Sequence, residues 1–482
     1  MISNSILTRF GRISSAFLQK KPDLHSAFLH PGRLPQFVRD CPSAMRVLDL
    51  LGPIPWQTFP DRDLQRNWGQ ITIPYSAFSA ACLLKLNENL VSMDDLRQYL
   101  IEHPAFIWLF GFPLVPSRKY ACGFDPSASL PTQRHFTQML RDIPNVSLQF
   151  LLEQSIQLLL YEFHSLGIQV GNCISLDTKH ILAWVKENNP KTFVVDRFKK
   201  AQQPKGDPDC KLGCKRRHNQ QVKSSELVTP SKMSVPAKTV AVGEYYWGYG
   251  SGVVVTKVSD WGEFVIAELT QTFDHSDVSY FFPLMHQTEQ RLGFKPRFGT
   301  FDAAFDAFYV YEYFHRDDDL DAFAVIPFSE KGGYKAGQRK FNGDGLPLCA
   351  AGLPMPLQFT YTDRTIAIIE HQRGKYICPL LSSNQKCPIK HKRWRHGGCT
   401  AMMPLSIGAR LRYSLDRTSE QYKSLYRQRT AVERINSQAY ALGIERPMLR
   451  NGHAISNINT LIYTLINLRC LQRVRLRLPQ TT

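Results

Sequence analysis

The chain has 482 residues, 43% of them hydrophobic, which is long enough for two or three separately packed regions and is the composition of a folded globular protein. Its 59 Lys and Arg against 41 Asp and Glu leave a net charge of +18, which favours a polyanionic partner, while no basic amphipathic helix is long enough to lie on a bilayer and no apolar run is long enough to span one. Eleven cysteines are scattered from Cys41 to Cys470 with no secretory apolar segment ahead of them, so a disulfide scaffold is excluded in favour of a reducing, cytoplasmic setting.

In chain order, the first 21 residues carry Arg9, Arg12, Lys20 and Lys21 and no acid. Organellar transit peptides share that composition, and an N-terminal helix or loose tail is the simpler expectation. Apolar residues then recur at helical spacing over Tyr75–Leu86, Met93–Ile101 and Phe136–Leu160, with proline joints at 53–55 and 113–116, predicting a helical N-terminal domain over 1–165. From residue 166 the pattern changes to short β-type runs at Val170–Leu176, Gly252–Val258, Phe264–Thr270, Phe298–Phe301 and Phe323–Pro327. Helical stretches at Val278–Leu292 and Ala307–Phe314 alternate with them, so an α/β core is expected over 166–328, completed by 416–482. Gly248–Gly252 reads as a turn, because a dinucleotide loop would follow a strand rather than precede one. Residues 329–415 are rich in Gly and Pro, with one strand expected at Thr365–Glu370, and are too long for a simple loop. They read as an inserted β-containing subdomain before the last helices.

Three acids stand out by their local setting. Asp177 follows Cys173–Leu176 and Asp302 follows Phe298–Phe301, so each is expected at the C-terminal end of a buried strand, where α/β sheets hold their ligands. Glu433 has Arg429 four residues before it and Tyr426 seven before it, which puts the three on one helical face. An exposed ion pair is the ordinary alternative for such a face. Magnesium prefers hard oxygen ligands and keeps several waters, so phosphodiester chemistry with two metals needs a few converging carboxylates. Asp306 and Glu445 are the nearest rivals, and both are expected to point away from that site.

The order Asp177, Asp302, Glu433, with Tyr-x-x-Arg-x-x-x-Glu around the last, resembles the DDE transposases of bacterial insertion sequences, in the group named for a Tyr-Arg-Glu-Lys motif. The resemblance covers most of the chain, including Leu176–Lys179, Thr300–Asp306, Asp274–Asp277, Glu433–Asn436 and Asn467–Arg469. One departure is Tyr440, which stands where the motif carries its final Lys. The resemblance implies an RNase H-like catalytic core in which Asp177, Asp302 and Glu433 hold Mg2+, with Mn2+ as the alternative. Arg429 would orient the glutamate or a phosphate, and Tyr426 would contact the flanking strand during cleavage. It further implies an N-terminal domain that binds the element's ends, double-stranded DNA as partner, a homodimer on DNA and a place at the bacterial nucleoid. A stand-alone RNase H-like nuclease or resolvase, and a catalytically dead DNA-binding descendant, are the other readings.

Residues 196–239 hold eleven cations, Lys215, Arg216 and Arg217 among them, against four acids. Their position after the first acid predicts a DNA-facing loop that neutralises phosphates. In the insertion, Lys392, Arg393, Trp394 and Arg395 set an aromatic among cations, as stacking on an unpaired base requires, although a Trp packed on Lys stems gives the same pattern. Tyr440 is assigned the same kind of contact. Cys210, Cys214 and His218, and Cys378, Cys387 and Cys399 with His391 and His396, lack paired Cys-x-x-Cys spacing. Structural zinc is therefore not expected.

Overall fold

The computed structural model describes residues 23–64, 72–221, 239–316, 318–319, 321–328, 340–364, 369–389, 394 and 396–478. The N-terminal segment weighed above as tail or transit peptide lies outside them, as do His391, Lys392, Arg393, Arg395 and the side chains of Lys215, Arg216 and Arg217.

The principal helices of the first third are α1 (Tyr75–Asn87), α2 (Met93–Glu102), α3 (Gln133–Asp142) and α4 (Asn145–Ser165). The first two follow the expected apolar spacing, and α2 opens on a reciprocal Ser92/Asp95 cap. The single run expected over Phe136–Leu160 is two helices. Pro144 has no N–H to continue the ladder and holds Ile143 extended, at φ −62° and ψ 125°, so α3 ends at Asp142.

From residue 173 on, the described residues form a mixed α/β arrangement with one main sheet and a smaller second one. The main sheet's strands are β1 (Cys173–Leu182), β2 (Lys211–Gln221), β3 (Thr239–Val258), β4 (Gly262–Thr272), β5 (Phe298–Thr300) and β6 (Phe323–Val325), in the order β2-β3-β1-β5-β6 with β4 also on β3. β1 is antiparallel to β3 and parallel to β5, and β5 is parallel to β6. Two expectations fail here. Gly248–Gly252 is not a turn but the middle of β3, where the missing side chains make room for neighbours: a Cβ at Gly250 or Gly252 would come within 2.5 Å of Tyr280, and one at Gly248 within 2.0 Å of the Ile181 carbonyl oxygen. The basic stretch is not wholly a loop either, since Lys211–Gln221 is a strand paired to β3, with a bulge between Arg216 and His218.

The later helices are α5 (Phe281–Leu292), α6 (Phe308–Phe314), α7 (Ile407–Ser414), α8 (Glu420–Tyr426), α9 (Thr430–Ala441) and α10 (Gly452–Arg477). α10 runs against α4 and β4. Its Asn467 acts as a strand partner, donating to the Val265 carbonyl at 2.8 Å while accepting from the Val265 N–H at 2.8 Å, so both a buried amide and the buried Val265 backbone groups are satisfied, which an apolar residue could not do. Buried side chains from Leu24 to Val474 form one continuous cluster, joining the N-terminal helices, the sheet and α10. Among the described residues no helix is long and apolar enough to cross a membrane.

Between α6 and α7 stands a second, three-stranded antiparallel sheet, β7 (Leu357–Asp363), β8 (His371–Ile377) and β9 (Thr400–Pro404). Of the strand expected at Thr365–Glu370, residues 365–368 lie outside the described set, and Ile369 and Glu370 precede β8 without belonging to a strand. β7, at the more polar and largely exposed Leu357–Asp363, is not among the expected strands. This small sheet has its own core around Cys349, Met355, Tyr376 and Met403, and Trp394 packs against it.

Candidate active site

Ser175 sets the local geometry. Its hydroxyl lies 2.6 Å from that of Thr300, stitching β1 to β5, and 3.3 Å from the Gln428 carbonyl oxygen, to which it donates. That second bond holds the turn of 3-10 helix at Arg427–Arg429, which joins α8 to α9, against the sheet. Tyr426, Arg429 and Glu433 therefore do not share one regular α-helix, as the spacing suggested, but span a tightened turn.

Asp177 lies on β1 two residues past Ser175, the last residue paired with β5. It is not at the strand end as expected, because β1 continues to Leu182 by pairing with β3. It does stand where the parallel half of the sheet stops. Asp302 lies two residues past the end of β5 and caps a turn of 3-10 helix, accepting from the Ala304 N–H at 2.9 Å. Glu433 lies in the first turn of α9.

Arg429 brings the acids into relation. Its Nη1 donates to Glu433 Oε1 at 2.7 Å, its Nη2 is 3.6 Å from Asp177 Oδ2, and its Nε is buried without a protein partner. Asn436, one turn beyond Glu433, donates to Asp177 Oδ2 at 3.1 Å. Burial pushes the Asp177 carboxyl up to about 6; Arg429 opposes the shift, and Asp302 and then Asp277 add to it. The Tyr426 phenol is likewise raised by burial, offset by Arg429 and reinforced by Asp302, Glu433 and Asp177, so it remains a protonated donor in the field of all three acids. Thr178 donates to Asp277 at 2.6 Å, drawing the Asp274–Asp277 segment to the same rim.

The rival acids are engaged elsewhere. Asp306 is sealed by Arg412, at 3.0 and 2.7 Å, and by the Tyr311 hydroxyl at 2.9 Å. Glu445 pairs with Lys179 at 2.6 Å. The Lys179 ammonium also lies 5.5 Å from the ring centre of Tyr440, whose side chain stands 61% exposed beyond α9's packed face. In the basic stretch, Asp207 accepts from the buried Tyr249 hydroxyl at 2.8 Å and Asp209 accepts from Asn451 and Gly452 at the start of α10, so both of these acids are spent on packing. Cys210 is buried, its thiol donating to the Asp207 carbonyl oxygen at 3.2 Å, and Cys214 is exposed.

Among the described residues no group of three or more His, Cys, Asp or Glu is close enough to hold a metal ion. The guanidinium of Arg429 is the cation that stands between Asp177 and Glu433. The donor chemistry nonetheless suits a hard divalent ion: all three acids offer oxygen, and a carboxylate whose ionised form is disfavoured at Asp177 is one that a cation would relieve. Glu433, with 57% of its side chain exposed, is not locked in place by packing.

Sequence reasoning assigned no role to Ser175, Thr178, Asp277 or Asn436. Asn436 could have been found by its spacing, since it lies three residues past Glu433, one turn along α9. The Thr178–Asp277 and Ser175–Gln428 contacts span 99 and 253 residues and leave no periodic trace. No protein-family model matches the chain, and no curated protein matches it.

Proposed function

We propose that the protein is an insertion-sequence transposase with an RNase H-like catalytic core, cutting DNA at terminal inverted repeats and joining the freed 3′ end to target DNA. The observation that carries this reading is that Arg429 pairs with Glu433 and lies 3.6 Å from Asp177, while Asp302, just past β5, adds to the field that raises the Asp177 carboxyl. The sheet supports it too, because the first acid stands on the strand where antiparallel pairing gives way to parallel pairing and the second follows the adjoining parallel strand. Asp177, Asp302 and Glu433 would hold a divalent ion, Mg2+ or Mn2+, which when bound supplies Lewis acidity at the phosphate and an activated water.

The chain's own groups then divide the remaining work. Asn436 donates to Asp177 Oδ2, the oxygen that Arg429 also approaches, and so fixes the carboxylate's position. Arg429 orients Glu433 and faces Asp177 with a planar guanidinium whose two-point geometry a lysine lacks. Tyr426, protonated at neutral pH, donates to the flanking strand. The basic β2 segment with Lys215, Arg216 and Arg217, the cations around Trp394 and the N-terminal helices are assigned to duplex DNA, which a homodimer in a bacterial cytoplasm would hold at both ends of the element.

The test uses duplexes carrying the inverted repeats that flank the coding region, with Mg2+. Wild-type protein cuts at the repeat boundary, and Asp302→Ala binds the same duplex with unchanged affinity but does not cut it. Cutting by Asp302→Ala at the wild-type rate, or an absence of repeats around the gene, would overturn the reading.

A further inference from the structure

A cleft of about 1220 Å3 opens between the end of α1, the start of α2, one face of α3 and the segment that follows α9. Its floor is apolar, made by the buried Leu86, Leu140, Ile458 and Ile462. Its rim is cationic, with Arg134, Arg141 and Arg446 exposed around it. The cleft continues into a second depression of about 500 Å3 through the shared residues Trp184, Arg446 and Pro447, where Lys186 and Arg450 add to the charge. A single acid, Asp94, lines the first cleft, and none lines the second depression. Two of the cations are partly engaged: Lys85 donates to the Leu90 carbonyl oxygen at 2.6 Å, and Arg141 makes a 3.5 Å exposed pair with Asp142, of a kind that binds weakly. Arg450 is held against Trp184, and Arg134, Lys186 and Arg446 remain for a ligand.

Trp184 stands where the two depressions join. It is 51% exposed, an unusual position for the largest apolar side chain. Arg450 lies 5.0 Å from its ring centre and donates to its carbonyl oxygen at 3.3 Å, which fixes the indole's orientation. It sits two residues past β1, the strand that carries Asp177, so the cleft begins roughly 20 Å along that strand from the acids. Lys179 and Tyr440 lie between.

An apolar floor under a cationic rim, with a fixed and exposed indole at the junction, matches a polyanion whose apolar faces are uncovered. A duplex hides its base faces in its own stack and would leave that floor unused, whereas an unpaired strand offers bases to the floor and the indole and phosphates to the rim. We propose that this cleft binds an unpaired DNA strand leading away from the acids, with Trp184 as its stacking platform. The identity of the polyanion as DNA rests on the transposase reading; the single-strand preference rests on the cleft alone.

The experiment measures anisotropy of a labelled oligothymidylate and of a duplex of equal length, with the full chain, in EDTA so that catalysis plays no part. Trp184→Ala weakens oligothymidylate binding by about 5- to 100-fold, the range of a lost base–aromatic stack, and leaves duplex binding within about twofold. Trp184→Phe keeps most of the affinity. Arg446→Ala lowers the salt slope for the oligothymidylate by about 0.7, one phosphate's worth, and provides a second reading if the Trp184 variant melts early. Equal losses on both ligands, or no loss with either variant, overturn the proposal. So does binding of an acidic polypeptide, or self-association of the chain, that depends on Trp184, since either assigns the cleft to a protein. Oligothymidylate binding that depends on Trp184, in a protein that never cuts DNA, would remove the transposase reading and leave this site standing.

Discussion

Asp306 and Asp177 each face an arginine. Asp306 is sealed from solvent and takes two hydrogen bonds from Arg412 and a third from Tyr311, so its charge is matched as well as a buried charge can be. Asp177 is only partly covered and shares Arg429 with Glu433. It reaches that arginine at 3.6 Å, and Asp302 and Asp277 crowd the same field. The first arrangement gains nothing from a further cation. The second is short of positive charge, and that shortage, rather than the presence of carboxylates, makes Asp177 the one of the two that a further cation would relieve.

Alanine at each position breaks the comparison in opposite directions. Asp177→Ala should lose about a thousandfold or more in DNA cleavage, the several kcal/mol that metal stabilisation supplies, with a melting temperature no lower than wild type. Asp306→Ala should leave Arg412 buried and unmatched and cost about 3–5 kcal/mol in urea unfolding, while the fraction that remains folded keeps its activity. If Asp306→Ala abolishes cleavage without loss of stability, or Asp177→Ala unfolds the chain, the assignment of the two acids is reversed.

What separates the two aspartates is almost invisible in one dimension. Both follow apolar residues, and Asp302 and Asp306 share one short segment. The runs that became β4, β5 and β6 were legible because apolar and β-branched residues filled both faces of each strand. The extension of β1 beyond Asp177 was not, since Thr178, Lys179 and His180 carry no apolar alternation and are held by backbone pairing to β3. The glycines of β3 looked like a turn because their purpose, clearing space for Tyr280, depends on a residue some thirty positions later. The Arg429–Glu433 pair was readable from its four-residue spacing. The shift of α8 into a tight turn before it was set by Ser175, on a different element, and so left no local mark.

A finer test of the comparison uses pH. The folded Asp177 carboxyl titrates at about 6, above its ordinary value of 3.8. Its contribution to stability is therefore fully present below pH 3.8 and lost as pH rises through about 6. The loss at neutral pH should be on the order of 2–3 kcal/mol. Asp177→Asn should accordingly melt higher than wild type at pH 7.5, and the advantage should fade as pH falls from 6 to 4. Mg2+ at pH 7.5 should raise the wild-type melting temperature, because an ion that binds only the folded form stabilises it, and should have little effect on the Asn variant. Equal melting temperatures at pH 7.5 would mean that Arg429 already neutralises Asp177.

The smallest effect belongs to Tyr440, the aromatic that stands where the resembled motif carries Lys. Packing against the core would make Tyr440→Ala destabilising, yet the ring is 61% exposed and its described partner is the Lys179 ammonium, 5.5 Å from its centre. An exposed cation–π contact contributes only about 0.5–1 kcal/mol. Tyr440→Ala should therefore lower stability by no more than about 1 kcal/mol. Lys179, still paired to Glu445, should stay in place. If the ring stacks on a displaced base, the same variant should slow strand processing several-fold while Tyr440→Phe does not, because stacking needs the ring and not the hydroxyl. Melting temperature and cleavage rate measured on one preparation decide it: a stability loss of several kcal/mol with normal activity per folded molecule would return Tyr440 to the fold.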